Sequence, residues 1–139
     1  MIGTASINLD LLKELRVEEA IDYTQTPFET VVHDVDVVLD TIGGDVQQRS
    51  YATLKRGGML VSTIQPPSEE MAQAHGVRVG MVSTAPPVGP TLTTVAGLVA
   101  NGTIKPVVSA VLPLSIIREA HELIEAKHTR GKIVLQVAA

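Results

Sequence analysis

The stretch "DTIGGDVQQRSYATLKRGGMLVS", from Asp40 to Ser62, decides the fold of this 139-residue chain. Two apolar runs flank a polar segment that has the composition of a helix, and a glycine pair lies at each junction. An apolar run, a polar helix and a second apolar run describe a β-α-β unit with parallel strands. Gly43-Gly44 follows the first strand and Gly57-Gly58 precedes the second, so we expect the two pairs at opposite edges of the sheet.

The same alternation continues in both directions from this unit. Strands are predicted at residues 1–5, 18–23, 35–42, 58–64, 77–85, 105–114 and 132–137, with helices at 7–15, 45–54, 68–75 and 115–128 and another after Pro90. The run "VDVVLDTI" is almost continuously apolar, which is typical of a strand that is buried on both faces. The pattern predicts an α/β fold with a doubly wound parallel sheet in a single domain.

The predicted helices carry recognisable end signals. Leu9, Leu12 and Leu15 share one face of the first helix, which Ser6 or Asn8 could cap. Gly57 is expected to close the helix over residues 45–54. Asn101-Gly102 is expected to stop the helix after Pro90.

Composition limits the possible partners and locations. The formal charge is −4 and no basic cluster exceeds Lys55-Arg56, so nucleic acid and anionic membranes are not expected as partners. The chain has no cysteine, which excludes disulfides and thiolate metal sites, and its start lacks the basic residues of a signal peptide. The four histidines are scattered and no hydrolase motif is present. We therefore predict a cytoplasmic location and no metal site.

Gly43-Gly44 is the first candidate binding feature. Ligands of open parallel sheets bind beyond the carboxyl ends of the strands, where the backbone must come close to them. Glycine has no Cβ and adopts positive φ, so it would allow a sugar or ring to approach the main chain. A plain strand-to-helix turn explains the pair equally well from the residues alone. Gly57-Gly58, at the other edge, is interpreted as a turn.

The amino-acid sequence resembles that of one protein family along almost its whole length. "DVVLDTIGGDVQQRSYATLKRGGMLVS", with "GTAS" before it and "HTRGKIVL" after it, is similar to the zinc-independent medium-chain dehydrogenase/reductases of the NADPH:quinone oxidoreductase-like branch. The likeness covers the latter part of such proteins, and Met1 falls in what resembles their second Rossmann strand. It implies an incomplete Rossmann-like sheet that lacks the first strand and the glycine-rich loop.

The resemblance implies a function and a division of the chain. Residues 1–104 would form the Rossmann-like core, and residues 105–139 a segment that packs on the catalytic domain in the family. The family's activity is NADPH-dependent reduction of a quinone, an enone or a similar carbonyl. Because the glycine-rich loop holds the cofactor pyrophosphate, we expect this chain to bind cofactor weakly or not at all and to be inactive alone.

The resemblance also names candidate cofactor residues. Ser6 would lie at the adenosine ribose, where the absence of an acid favours NADP over NAD, and Tyr23 would lie near the adenosine. The remaining candidates are Thr41, Ile42, Gly43, Gly44, Ser62, Thr63 and Ile64 along the cofactor, Val82, Ser83 and Thr84 at the nicotinamide, and Arg130-Gly131-Lys132 near a phosphate. Helix capping is an alternative role for Ser6, and a solvated turn is an alternative for Arg130. No residue is predicted to be catalytic.

Two alternative functions remain open. "LKRGGMLV" also resembles a turn of class I methyltransferases, although their glycine-rich loop is missing here. A non-catalytic interaction or assembly module is the other reading. Without a central first strand, two strands would each leave one edge unpaired, which predicts a homodimer or a higher homo-oligomer.

Overall fold

The computed structural model describes residues 1–82, 88–126 and 129–137. The chain forms two compact units, Met1–Thr84 and Ala85–Ala139. Helices and strands alternate in both, and every strand pair among the described residues is parallel. The predicted α/β class with parallel pairing is therefore confirmed. The helix that contains Pro90 belongs to the second unit, whereas the division expected near residue 104 would place it in the first.

The first unit contains two parallel sheets. Its strands are β1 (Ile2–Ala5), β2 (Glu19–Asp22), β3 (Val35–Asp40), β4 (Leu54–Ser62) and β5 (Arg78–Met81), and its helices are α1 (Leu9–Glu14), α2 (Gly44–Ser50) and α3 (Glu69–His75). The strand orders are β1-β2 and β3-β4-β5. Among the described residues, β1 and β3 thus pair along one edge only.

Two small clusters form the core of the first unit. Ile21, Phe28 and Val32 pack with Val35 and Val46, which ties β2 to β3 and α2. Tyr51, Leu60 and Ala72 form the other cluster. They belong to the short 3-10 helix after α2, to β4 and to α3, respectively. Aliphatic side chains dominate both clusters, as expected from a chain with three aromatic residues.

The expectation that β3 is buried on both faces is wrong for the described structure. Val38 packs against one core cluster, and Asp40 is buried. Val37 and Leu39 alternate with these two residues along the strand and are 60% and 64% exposed. Successive side chains of a strand point to opposite faces, so from Val37 onward only one face of β3 is covered by described residues.

Gly57 does not close the preceding helix, contrary to the prediction. Helix α2 ends at Ser50, a short 3-10 helix spans Tyr51–Thr53, and β4 has begun by Leu54. The register with β3 shifts within this part of β4, which marks a β-bulge or a similar irregularity. Gly57 has φ 78°, and a Cβ on Gly58 would lie 2.8 Å from the Lys55 carbonyl oxygen. The pair is therefore required by the bulge, in keeping with its interpretation as a turn device.

Ser6 does not cap helix α1. The N-cap position belongs to Asn8, whose side chain makes no capping hydrogen bond. The expected apolar face is only partly covered, since Leu9 and Leu12 are half-buried and Leu15 is exposed.

The second unit contains helix α4 (Val88–Ala100), strand β6 (Val108–Pro113), helix α5 (Ile117–Glu125) and strand β7 (Lys132–Gln136). Strands β6 and β7 form a two-stranded parallel sheet. Helix α4 includes Pro90 in its first turn, where a proline costs no internal hydrogen bond. Its predicted stop at Asn101-Gly102 is confirmed, with Gly102 at φ 77°.

Candidate functional site

Asp40, the last residue of β3, is the centre of a buried hydrogen-bond network. Its side chain is enclosed, and the residue is 4% exposed. Oδ1 accepts hydrogen bonds from the backbone N–H groups of Ile42 (3.0 Å) and Gly43 (2.8 Å). Oδ2 accepts from Gln47 Nε2 (2.9 Å) and Ser62 Oγ (2.8 Å). One carboxylate therefore binds its own loop with one oxygen, and α2 and β4 with the other.

The first loop, residues 41–43, depends on glycine. Gly43 has φ 79° and ψ −165°, a region that only glycine populates readily. A Cβ on Gly43 would lie 3.2 Å from both Ile64 Cγ2 and Gln65 Oε1. Gly44 has φ 55° and nothing within 4 Å of a Cβ position. The positive φ expected at this pair is thus observed, and the backbone at Gly44 faces open space.

The second loop, residues 63–68, is held by Ser62 and by two glutamines. Ser62 is completely buried, and its Oγ accepts from the N–H groups of Ile64 (3.2 Å) and Gln65 (3.4 Å). Gln47 Nε2 donates to the Gln65 carbonyl (3.2 Å), and Gln65 Nε2 donates to Gln47 Oε1 (3.3 Å). We call Asp40, Gln47, Ser62 and Gln65 the Asp40 network. It joins the two loops at the carboxyl ends of β3 and β4.

The network keeps Asp40 ionised. Burial raises the pKa of the Asp40 carboxyl, because it removes the charge from water. The donors at Gly43, Ile42, Ser62 and Gln47 outweigh this effect and bring the pKa below the ordinary range of aspartate. Because its oxygens already accept four hydrogen bonds, Asp40 is a structural anion here and not a free general base.

The outer surface of the two loops is apolar and open. Ile42 and Ile64 are exposed, as are Thr41, Gly44 and Thr63. Val82, which follows β5 and donates its N–H to the Ser62 carbonyl (2.9 Å), is also exposed. Of the residues predicted to line a cofactor, the structure therefore gathers Thr41, Ile42, Gly43, Gly44, Ser62, Thr63, Ile64 and Val82 at one edge of the β3-β4-β5 sheet. Ser62 is placed to support this surface from inside and not to face a ligand.

Ser6 and Tyr23 meet at the carboxyl ends of β1 and β2. Tyr23 Oη lies 3.2 Å from Ser6 Oγ, to which it donates a hydrogen bond. Tyr23 N–H also donates to the Ala5 carbonyl (3.2 Å), which continues the strand pairing. Ser6 is half-buried and Tyr23 is exposed, so the pair forms a small polar platform on the β1-β2 sheet.

The last predicted residues lie elsewhere. Ser83 and Thr84 fall outside the described residues. Arg130 is in the second unit, where it lines an open hollow of about 290 Å³ between α5 and the β6-β7 sheet. Gly131 has φ 89°, and a Cβ there would clash with the Val107 carbonyl oxygen. Packing therefore explains the glycine of the Arg130-Gly131-Lys132 motif.

Sequence reasoning missed the central role of Asp40, Gln47 and Gln65. The available signal was an aspartate at the end of an apolar strand, followed three residues later by glycine. A second signal was a serine at the same position of the next strand. The glutamines carried no signal, because polar residues in a helix and a loop are ordinarily solvated.

The described parts of the chain contain neither a candidate membrane span nor a candidate metal cluster. No helix there is long and apolar enough to cross a bilayer. No group of three or more histidine, aspartate or glutamate side chains is arranged to hold a metal ion among those residues.

Comparisons with known proteins identify relatives of the whole chain. Residues 15–135 match the family model described as "Zinc-binding dehydrogenase". A "Probable zinc-binding oxidoreductase, mitochondrial" from Arthroderma benhamiae is 30% identical over 99% of this chain and 44% of its own length. A "NADPH-dependent alkenal/one oxidoreductase, chloroplastic" from Arabidopsis thaliana is 30% identical over 96% of this chain and 32% of its own length.

One solved structure is similar to almost the whole of this chain. The quinone oxidoreductase from Coxiella burnetii is 32% identical, with a TM-score of 0.86 over 99% of this chain and 44% of that protein. The likeness confirms a Rossmann-like α/β domain. The chain thus spans less than half the length of these relatives.

Proposed function

Because the chain belongs to the zinc-binding dehydrogenase family, we propose that it supplies part of a nicotinamide cofactor site in an NADPH-dependent oxidoreductase. The substrate would be a quinone, an enone or a similar carbonyl, which is the chemistry named for the relatives from Coxiella burnetii and Arabidopsis thaliana. In such reactions the cofactor carries the hydride, and the protein binds and orients it. The family match favours this reading over a methyltransferase-like domain.

One observation carries the proposal: two strand-end loops are joined by the Asp40 network and present open backbone and apolar side chains at the same edge. Gly44 combines φ 55° with free space where a side chain would begin. Ile42 of the first loop and Ile64 of the second loop are exposed. This is the edge at which open parallel sheets bind their ligands. Thr41, Gly43, Gly44 and Ile64 would line the cofactor, with Ser62 supporting them from below.

The preference for NADPH over NADH is proposed from the Ser6–Tyr23 pair. A carboxylate at the end of the second Rossmann strand binds a free ribose 2′-OH and repels a 2′-phosphate. Ser6 and Tyr23 offer hydroxyl groups instead, 3.2 Å apart. We assign the 2′-phosphate to this platform and propose a phosphate contact for Arg130.

Fluorescence titration with NADPH and NADH tests cofactor binding. We expect weak binding to the 139-residue chain, with NADPH preferred. Ser6→Asp should remove that preference, since its carboxylate would face the phosphate. Ser115→Asp, which adds the same charge at an exposed position of the second unit, should leave it unchanged. Tight binding, or a clear preference for NADH, would contradict the proposal.

A second proposed property is self-association into a homodimer or a higher oligomer. Strands β1 and β3 each pair along one edge among the described residues. Val37 and Leu39 of β3 expose their side chains on one face. Open edges with apolar side chains are templates for association between copies. Light scattering at micromolar concentration is the test, and a clean monomer of 14.7 kDa would refute it.

Zinc independence and a cytoplasmic location stay predictions. The first rests on the resemblance to the quinone oxidoreductase-like branch. The second rests on a chain without cysteine, while two relatives are named as mitochondrial and chloroplastic. Metal analysis and fractionation of the source cells would test them.

A further inference from the structure

The two oxygens of the Asp40 carboxylate serve different parts of the site. Among the described residues, Oδ1 accepts only from the first loop, at the N–H groups of Ile42 and Gly43. Oδ2 accepts from Gln47 and Ser62, which in turn hold Ile64 and Gln65 of the second loop. The two loops are thus linked through one side chain, with a separate atom for each.

We propose that Asp40 is a positioning residue that sets the second loop relative to the first through Oδ2 and Ser62, and so aligns the two loops that bind the cofactor. The cofactor part of this inference rests on the proposed function. The linkage between the loops does not, because every contact in it lies within the chain. Asp40 itself touches no ligand in this role.

The Ser62 hydroxyl is the connecting element. A hydroxyl has one hydrogen to donate and two lone pairs to accept. Ser62 donates its hydrogen to Asp40 Oδ2 and accepts from Ile64 and Gln65, so its capacity is fully used. As an acceptor, Oδ2 fixes the direction of the Ser62 hydrogen and leaves both lone pairs to the second loop. A donor in its place would compete for those lone pairs.

The substitution Asp40→Asn tests separately the contact of residue 40 with the first loop and its contact with Ser62. The N–H groups of Ile42 and Gly43 are fixed donors, so an Asn side chain would turn its oxygen toward them. Its NH₂ group would then replace Oδ2 and face Ser62. A third donor at Ser62 would compete with Ile64 and Gln65 for two lone pairs. Asp40→Asn should therefore preserve the first loop and loosen the second.

Amide hydrogen exchange by NMR on the 139-residue chain tests the linkage without any cofactor. In Asp40→Asn we expect exchange at Ile64 and Gln65 to accelerate about tenfold, as suits the loss of one hydrogen bond, with Ile42 and Gly43 near their original rates. Asp40→Ala should accelerate both loops. Asp45→Asn, at an exposed position of α2 that binds Arg49, is the control and should change neither loop.

Ser62→Ala provides a second route to the same result. It removes the connecting hydroxyl, so it should loosen the second loop alone, and adding Asp40→Asn should give no further acceleration. A merely structural role for Asp40 predicts instead a uniform acceleration that includes β4 itself. Equal acceleration of both loops in Asp40→Asn, or none in the second, would overturn the linkage.

The cofactor arm uses NADPH titrations of the same variants, followed by amide chemical shifts. Asp40→Asn and Ser62→Ala should each weaken binding about tenfold, and the double variant no more than either, because both break one link. Unchanged affinity in both would overturn the positioning role. Failure of the unsubstituted chain to bind NADPH would contradict the proposed function, while the exchange experiment would still decide the linkage.

Discussion

Ser62 lies opposite Asp40 in the parallel register of β3 and β4, and its hydroxyl donates a hydrogen bond of 2.8 Å to Asp40 Oδ2. A buried carboxylate is stable only when its lone pairs are satisfied. The matched register supplies a donor from the neighbouring strand at the point where both strands end. The same bond therefore offsets part of the free-energy cost of burying the charge, and it joins the two loops of the candidate site.

The free energy of unfolding should depend on pH through Asp40. Its folded pKa is below the ordinary value, so its contribution to stability is present above about pH 4 and is lost as the pH falls below that value. Asp40→Asn removes this titration. We expect the stability gap between the original chain and the variant to be largest near pH 7 and to shrink toward pH 3.

Urea unfolding at several pH values measures this gap. Glu18, Asp22 and Asp36 also have lowered pKa values, from the Met1 amino group, Thr24 and Lys55 respectively, but they lie outside the Asp40 network and are present in both proteins. Their effects cancel in the difference. A gap that stays constant from pH 7 to pH 3 would show that the Asp40 charge does not stabilise the fold.

Alanine substitutions should separate the roles of Gly43 and Gly44. Gly43→Ala forces a Gly-only conformation and places a Cβ against Ile64 and Gln65, so it should destabilise the first unit by about 3 kcal/mol. Gly44→Ala meets open space and should cost about 1 kcal/mol from its positive φ alone. Thermal unfolding gives both values. Equal costs would mean that contact with the second loop is unimportant.

Gly131→Ala should strongly destabilise the second unit. A Cβ at this position would clash with the Val107 carbonyl oxygen, and φ is 89°. The backbone must then shift where Lys132 N–H binds that same carbonyl at 2.8 Å, so we expect a loss of about 3 kcal/mol.

Gly97→Ala is the matched control for Gly131→Ala. Gly97 lies inside α4 with nothing within 4 Å of a Cβ position, and alanine should stabilise that helix by about 0.5–1 kcal/mol. Hydrogen-exchange protection of the β6 and β7 amides measures the stability of the second unit in both variants. A Gly131→Ala protein with unchanged protection would refute the packing explanation of this glycine.

The 139-residue chain by itself should not catalyse the reduction of quinones or enones by NADPH. The described carboxylate at the site, Asp40, is fully hydrogen-bonded, and the chain matches less than half the length of its relatives. Incubation with NADPH and a panel of quinones and enones should show no cofactor oxidation above background. Enzyme-dependent turnover of about 1 per second or faster would show that a complete site is present.

The sequence predicted the elements best where patterns are local. The strands around residues 35–42 and 58–64, the helix over residues 68–75 and the stop at Asn101-Gly102 follow from hydrophobic period and glycine placement. Gly57 was assigned wrongly because a glycine after a helix and a glycine in a bulge look the same in sequence. The exposure of Val37 and Leu39 could not be predicted, since a strand's pattern does not show which neighbours are present.

The sequence by itself determined the parallel α/β class, the family and the glycine pair at the strand end, because these depend on periodicity and on short motifs. Only the tertiary structure decided that Asp40 and Ser62 stand opposite each other and that Gln47 and Gln65 complete their hydrogen bonds. Those residues are separated by up to 25 positions, and their partnership depends on strand register and burial. Neither is written in the local pattern, since a polar residue becomes part of a site only when the fold removes it from water and gives it a partner.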